Sequence, residues 1–302
     1  MRVERRKAGV AWLSVGSNLV LVLAKAVIGF LSGSVSVLSE AVHSGVDLLA
    51  AAIALFAVRA SGKPADEDHP FGHGKFENVS GTIEAILIFG AAAWIMSESI
   101  RKLMHHEPLQ QVGLGVAVMA VSAVANTIVS HLLFKIGRET DSVALMGDGW
   151  HLRTDVYTSI GVAAGLGGIA VVRAIAPSAP VDWLDPVVAI GVALFICKAA
   201  WELTSQSGRD LVDRSLPADE ESLVRDAIAA SGDGVLGFHH LRTRKAGAHR
   251  FVDFHLLVPA HMSVEDSHRI TDEIGDAIQE RLPYASVTIH VEPSPDGLEI
   301  GS

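Results

Sequence analysis

Six long apolar segments follow one another through the first two thirds of this 302-residue chain. They lie at approximately residues 10–31, 36–59, 79–100, 112–135, 143–176 and 182–204. Each is long enough to cross a hydrocarbon core, for which a helix needs about 20 apolar residues. Because lipid offers no hydrogen-bonding partner, such segments must satisfy their backbone groups internally. The sequence therefore predicts six transmembrane α-helices.

Composition and the placement of positive charges indicate a membrane protein with a defined orientation. Hydrophobic residues make up 49% of the chain and charged residues only 19%, against about 25% charged in soluble domains. Lys and Arg favour the cytoplasmic side of a membrane. Nine of those near the predicted spans fall on the side of the N-terminus and three on the other. We therefore expect a multi-pass protein of the cytoplasmic (inner) membrane with both termini in the cytoplasm.

The first apolar segment, Ala8 to Leu31, is longer than a signal-peptide core, so we expect it to be retained. After the last segment the composition changes, which predicts two domains, 1–207 and 208–302. The second holds 9 Lys and Arg against 17 Asp and Glu. That net charge of −8 argues against nucleic acid as a partner.

The hydrophobic pattern of the C-terminal part predicts the element order αββαβ. The predicted elements are a helix at 218–231, strands at 237–244 and 250–259, a helix at 263–281 and a strand at 286–292. This order is typical of a small sheet with helices on one face. The predicted fold class is thus an α-helical bundle of six transmembrane helices followed by a C-terminal cytoplasmic α+β domain.

Ionisable residues interrupt two predicted spans at the same spacing. His43 and Asp47 lie four residues apart in the second span, as do His151 and Asp155 in the fifth, so each pair shares one helix face. The single cysteine excludes a thiolate cluster, and two imidazoles with two carboxylates match the ligands of tetrahedral zinc. Either pair alone is also compatible with a water-facing polar stripe or an interhelical hydrogen bond. Ionisable groups within spans are, however, costly and usually functional.

The loop after the second span carries a second group of potential ligands. Asp66, His69 and His73 place a carboxylate and two imidazoles within a short glycine-containing segment. A solvated acidic loop is the alternative interpretation, and the spacing alone does not decide between the two.

Seven of the 14 histidines lie in the C-terminal domain. His290 and Glu292 are two residues apart on a predicted strand and so point to the same face, as do Asp253 and His255. Any single histidine is more often a surface residue than a ligand. Their number in so small a domain nevertheless favours a metal site.

Together these motifs resemble the cation diffusion facilitator family, and most closely its bacterial zinc and iron efflux branch. The resemblance covers nearly the whole chain. It rests on Ser39–Asp47 (SEAVHSGVD), His69–Lys75 (HPFGHGK), Asp148–Asp155 (DGWHLRTD) and Leu241–Arg244 (LRTR).

The resemblance implies a homodimeric transporter, and not an enzyme, that exports divalent metal from the cytoplasm in exchange for protons. It implies a transport site in the membrane formed by His43, Asp47, His151 and Asp155. It implies a loop site formed by Asp66, His69 and His73. It implies a cytoplasmic site formed by His239, His255, His268, His290 and Glu292.

Two positions depart from the pattern of the close relatives. Glu292 stands where the close branch has aspartate, which keeps the carboxylate on a longer arm. His43 stands where some bacterial relatives have aspartate, and in the family this replacement goes with a preference for zinc over cadmium. We therefore expect Zn²⁺ as the transported ion and as a structural ligand of the cytoplasmic domain, with iron, manganese, cobalt and cadmium left open.

The expected mechanism is alternating access, in which zinc binds between spans 2 and 5 and protons compete for the same ligands. An intramembrane zinc peptidase would need a His-Glu-x-x-His helix or a comparable site, and the sequence has no such motif. A metal-gated channel and a non-transporting membrane metal receptor stay open as alternatives.

Overall fold

The computed structural model describes residues 2–32, 35–105, 113–175, 183–232 and 234–294. The chain divides into two compact units, residues 1–208 and residues 209–302. Six long helices come first: α1 (Arg2–Ser32), α2 (Val35–Ser61), α3 (Lys75–His105), α4 (Gly113–Glu139), α5 (Val143–Ile175) and α6 (Leu184–Leu211). The predicted segment ends at 112, 176 and 182 lie outside the described residues.

Within the described residues, five of these helices, α1, α2, α3, α4 and α6, are long and apolar enough to cross a membrane. Helix α5 is not one of these five, and its first half carries Asp148, Arg153 and Asp155. Large apolar side chains cover the outside of the bundle, and Val20 and Phe56 are each 65% exposed. An apolar surface of this kind marks contact with a membrane. The first unit is therefore a helical transmembrane domain.

The transmembrane helices pack around two apolar clusters that share α5. Helices α1, α2, α4 and α5 form the first cluster, which includes Leu55 and Leu133. Helices α3 and α6 form the second together with the beginning of α5, and Ile88 and Ile196 belong to it. Because α5 has packed neighbours from both clusters, its polar residue Asp148 is fully buried in protein.

A buried polar network joins three helices and the residue before α5 next to the α2–α3 loop. Glu77, 1% exposed at the start of α3, accepts hydrogen bonds from Lys7 Nζ (3.0 Å), Ser61 Oγ (2.8 Å) and Ser142 Oγ (2.5 Å). Buried charges are tolerated only when they are paired and hydrogen-bonded. The network therefore fixes the ends of α1, α2 and α3 and the residue before α5 relative to one another. Both ends of the α2–α3 loop are anchored by it.

The second unit is a small α+β domain in the predicted order αββαβ. Its elements are α7 (Ala218–Ala229), β1 (Gly237–Ala246), β2 (His249–Pro259), α8 (Val264–Arg281) and β3 (Ala285–Ser294). The sheet order is β1-β2-β3, with β1 antiparallel and β3 parallel to β2. Phe254 on β2 points into a core with Ile228 of α7 and Ile274 of α8. Neighbouring strand positions such as His255 therefore point to the opposite face.

Candidate metal centres

Three of the four predicted intramembrane ligands converge. His43 Nε2 lies 4.0 Å from Asp47 Oδ1 and 3.5 Å from Asp155 Oδ1. One ligand atom from each of the three lies within 4.8 Å of the other two. The helical period places His43 and Asp47 on one face of α2, and Asp155 faces them from α5. The side chains of Asp47 and Asp155 are 4% and 20% exposed and that of His43 is 45% exposed, so the group is open at His43.

The fourth predicted ligand, His151, joins this group through Asp47. His151 Nε2 lies 3.2 Å from Asp47 Oδ1, and Asn126 Nδ2 donates a hydrogen bond of 3.3 Å to Asp155 Oδ2. Ligand atoms around tetrahedral zinc are about 3.3 Å apart when the bonds are about 2.0–2.1 Å long. We call His43, Asp47, His151 and Asp155 the intramembrane cluster. The contacts within it are close to the spacing that a bound ion requires.

Asp66, His69 and His73 form a second group, the loop cluster, between α2 and α3. Asp66 Oδ1 lies 3.3 Å from His69 Nδ1, and Asp66 Oδ2 lies 3.3 Å from His73 Nε2. The loop turns back on itself because the His69 backbone N–H donates to Asp66 Oδ1 (2.8 Å) and the Gly72 N–H donates to the His69 carbonyl (2.9 Å). Gly72 has φ +81°, a conformation that glycine adopts without steric cost. The three predicted side chains are thus brought together.

Hydrogen bonding favours the ionised form of Asp66. The backbone N–H of His69 is the main cause that lowers the pKa of Asp66, and the imidazoles of His73 and His69 add to it. A lowered pKa stabilises the folded loop at pH values above the ordinary pKa of aspartate, and this contribution is lost as the pH falls through the lowered value. The carboxylate is therefore ionised, and able to bind a cation, at pH values above the ordinary pKa of aspartate.

Asp66→Asn is expected to weaken zinc binding in the loop by at least roughly tenfold, because even outer partners of metal ligands contribute about 10–100-fold. The measurement is a chelator competition on the full-length protein carrying Asp47→Ala and His255→Ala to weaken the other two sites. Asp68→Asn, which removes the same charge from the same loop, is the matched control. Equal weakening by both variants would mean that only the charge of the loop matters.

Histidines from all three strands meet on the sheet face opposite the core. His239, His255 and His290 are register partners on β1, β2 and β3, and the ring centroids of neighbouring imidazoles are 5.1 and 4.9 Å apart. Glu292 joins them, with Oε2 3.0 Å from His239 Nε2 and Oε1 2.9 Å from His255 Nδ1. His290 Nε2 lies 3.6 Å from Glu292 Oε1. We call these four residues the sheet cluster.

His240 also lies at the sheet cluster, although the sequence did not indicate it. Ligand atoms of His239, His240 and His255 lie within 4.8 Å of one another. Adjacent strand residues normally point to opposite faces. Here the β1–β2 register shifts between His239 and Arg242, and His240 has φ +53°. This bulge turns both histidines to the same side, and no residue pattern in the chain predicts it.

His268, the remaining predicted cytoplasmic ligand, is placed elsewhere. It lies on α8, where its Nε2 is 3.6 Å from Asp272 Oδ2 and its side chain is 74% exposed. Helix α8 packs on the core face of the sheet. In the part of this chain that the structure describes, His268 has no recorded contact with the sheet cluster.

Glu292 is held in its ionised form by the histidines around it. Desolvation opposes ionisation, but hydrogen bonds from His239 and His255, together with their charges, lower the pKa of Glu292. An ionised carboxylate between imidazoles supplies the mixed oxygen and nitrogen ligands that zinc accepts.

Comparison with known proteins places the chain in a family. Residues 11–212 match the cation efflux transmembrane domain, and residues 216–294 match the cytoplasmic domain of cation efflux proteins. The chain belongs to the cation efflux family, also called the cation diffusion facilitator family, as its motifs predicted. It is therefore a multi-pass membrane transporter of metal cations.

Relatives match this chain over almost its full length. The uncharacterised transporter sll1263 of Synechocystis sp. is 36% identical over 95% of this chain and 90% of its own length. The cation-efflux pump FieF of Klebsiella pneumoniae is 34% identical over 95% of this chain and 92% of its own length. Among solved structures, the metal-bound C-terminal domain of the CzcD transporter from Thermotoga maritima is 32% identical and covers 26% of this chain and 94% of that chain, with a TM-score of 0.23.

Proposed function

We propose that this protein exports divalent metal, principally Zn²⁺, from the cytoplasm across the inner membrane in exchange for protons. The observation that carries the proposal is the convergence of His43, Asp47 and Asp155 from α2 and α5. His151 completes the intramembrane cluster through its contact with Asp47. Membrane-spanning helices rarely keep such groups without a function. Membership of the cation efflux family supports metal cation transport as the activity. The intramembrane cluster is the proposed binding site of the transported ion.

The donor set favours zinc. Imidazole nitrogen and carboxylate oxygen suit borderline divalent ions, whereas magnesium and calcium prefer oxygen ligands. Three contacts among these donors, at 3.2 to 4.0 Å, are close to the spacing of ligand atoms around a tetrahedral ion. Iron, manganese, cobalt and cadmium are the competitors to be measured beside zinc.

Proton exchange follows from the chemistry of these ligands. Imidazole and carboxylate bind metal only in their deprotonated forms, so metal and protons compete for one site. Histidine titrates close to neutral pH, which allows an inward proton gradient to empty the site on the outside. In this account α2 and α5 rock to expose the cluster to each side in turn. Helix α5 also crosses the membrane, which brings the number of spans to six. Both termini and the domain from 208 to 302 lie in the cytoplasm.

The other two clusters serve as further metal sites in this proposal. The loop cluster of Asp66, His69 and His73 receives metal on the cytoplasmic side. The cytoplasmic site comprises the sheet cluster, with His240 as an additional neighbour. His268, which lies on α8, is a further ligand of this site in the proposal. Zinc there is structural and draws two subunits of a homodimer together, since a cation offsets repulsion between domains of net charge −8.

Zinc is accordingly expected to shorten the distance between the two subunits' cytoplasmic domains. Spin labels at residue 280, on the exposed end of α8, would report that distance in the full-length dimer with zinc and with a chelator. A distribution that does not change with zinc would contradict the structural role. His255→Ala, which removes a member of the sheet cluster, should abolish the zinc response.

The transport proposal is tested by zinc uptake into proteoliposomes under an imposed pH gradient. Uptake that rises when the lumen is acid, and that disappears in Asp155→Ala, supports antiport through the cluster. Uptake that ignores the pH gradient would indicate a channel. Absence of uptake for every divalent ion tried would indicate a receptor.

A further inference from the structure

Glu84 on α3 is a fully buried carboxylate beside the intramembrane cluster. Its side chain is 0% exposed. Neither of its carboxylate oxygens has a hydrogen-bond partner among the described residues. The nearest charged neighbour recorded for it is His151, whose Nδ1 lies 3.8 Å from Glu84 Oε2. A buried carboxylate without a hydrogen bond is costly, which calls for a functional reason.

The packing of α5 against α3 fixes the position of Glu84. A Cβ atom added to Gly147 would lie 3.0 Å from Glu84 Cγ and 3.1 Å from Glu84 Cβ. Because residue 147 is glycine, the Glu84 side chain fits between the two helices, one helical turn from His151. The Glu84 carboxylate thus lies beside the His151 imidazole, outside the intramembrane cluster.

The two nitrogens of His151 face different partners. Nε2 lies 3.2 Å from Asp47 Oδ1, on the side of the predicted ligands, whereas Nδ1 faces Glu84. A neutral imidazole that binds metal through Nε2 carries its proton on Nδ1, and metal-binding histidines almost always donate this proton to a carboxylate, a carbonyl or water. Glu84 is the carboxylate placed to accept it.

We propose that Glu84 is the positioning residue of the transport site. Its carboxylate lies 3.8 Å from His151 Nδ1 here and, when zinc is bound, moves closer and accepts the Nδ1–H. That hydrogen bond selects the tautomer with a free Nε2 and holds the ring toward Asp47. Glu84 binds no metal itself. This inference rests on the proposed transport function, because it gives Glu84 a role only if His151 is a metal ligand.

Zinc affinity of the cluster tests the inference separately from transport. The full-length protein carrying His73→Ala and His255→Ala serves as the background, so that chelator competition reports mainly on the intramembrane cluster. Glu84→Ala should weaken zinc binding by about 10–100-fold, the range found for outer partners of metal ligands. Glu84→Gln, which keeps an acceptor oxygen, should recover part of that loss. Glu98→Gln, on the same helix but away from the cluster, should change nothing.

The tautomer of His151 gives a readout that needs no variant of Glu84. Nitrogen NMR of labelled histidine, assigned by comparison with His151→Ala, should show Nδ1 protonated and Nε2 coordinated in the zinc-bound protein. Protonation at Nε2, or an unchanged zinc affinity in Glu84→Ala, would overturn the role of Glu84 alone. If the background protein binds no zinc at the cluster, the transport proposal itself fails.

Discussion

Replacing Asp47 with alanine is expected to abolish zinc transport, with at least a hundredfold loss of initial rate. Asp47 Oδ1 lies 3.2 Å from His151 Nε2 and 4.0 Å from His43 Nε2, so one carboxylate links the histidines of α2 and α5. Its removal takes away one ligand and also the contact that orients the other two. Loss of outer partners alone costs about 10–100-fold in metal affinity, and a shared ligand is expected to cost more.

The measurement is zinc uptake into proteoliposomes containing equal amounts of folded protein, checked by size-exclusion chromatography. Val46→Ala, one residue away on the exposed side of α2, is the control for effects on the helix itself. Uptake by Asp47→Ala close to the wild-type rate would show that zinc transport does not depend on this carboxylate. The intramembrane cluster would then not be the transport site.

The second large effect is expected from Glu292→Ala in the cytoplasmic site. Glu292 contacts His239 and His255 through its two oxygens, at 3.0 and 2.9 Å, so its loss removes the carboxylate that holds two strands' imidazoles together. Zinc affinity of the sheet cluster should fall by about a hundredfold. The measurement is chelator competition on full-length protein carrying Asp47→Ala and His73→Ala, with the exposed Glu280→Ala as control.

The same site has a predictable pH dependence. Because the pKa of Glu292 is lowered, this group stays ionised as the pH falls from 8 to about 5, and the contribution of its ion pairs is lost only below that range. Zinc should instead be displaced because protons compete with it for the imidazole nitrogens of the cluster. A zinc affinity that does not change over that pH range would contradict a site built mainly on histidine.

Much of the intramembrane cluster follows from spacing. The four-residue interval between His43 and Asp47, repeated by His151 and Asp155, fixes which side chains share a face, since the helical period is the same in any membrane helix. The loop cluster was predictable for a similar reason, because its residues are close in sequence and the chain turns at Gly72. The family motifs then indicated which faces meet.

Residues that depend on packing between elements were not predictable. Glu84 lies in an otherwise apolar part of α3, and its relation to His151 requires the close approach of α3 to α5 at Gly147. The position of His240 beside the sheet cluster depends on a β-bulge in β1. A bulge interrupts the alternation of side chains between the two sheet faces, and strand faces are predicted from that alternation. The position of His268 depends on which face of the sheet α8 covers.

The central claim, exchange of zinc for protons, is tested most directly by measuring both ions in the same proteoliposomes with no initial pH gradient. A step in external zinc should then drive zinc inward and protons outward, and both movements should vanish in Asp47→Ala. A luminal pH that rises as zinc enters is the predicted result. Zinc entry with a constant luminal pH would contradict the account and would favour a channel.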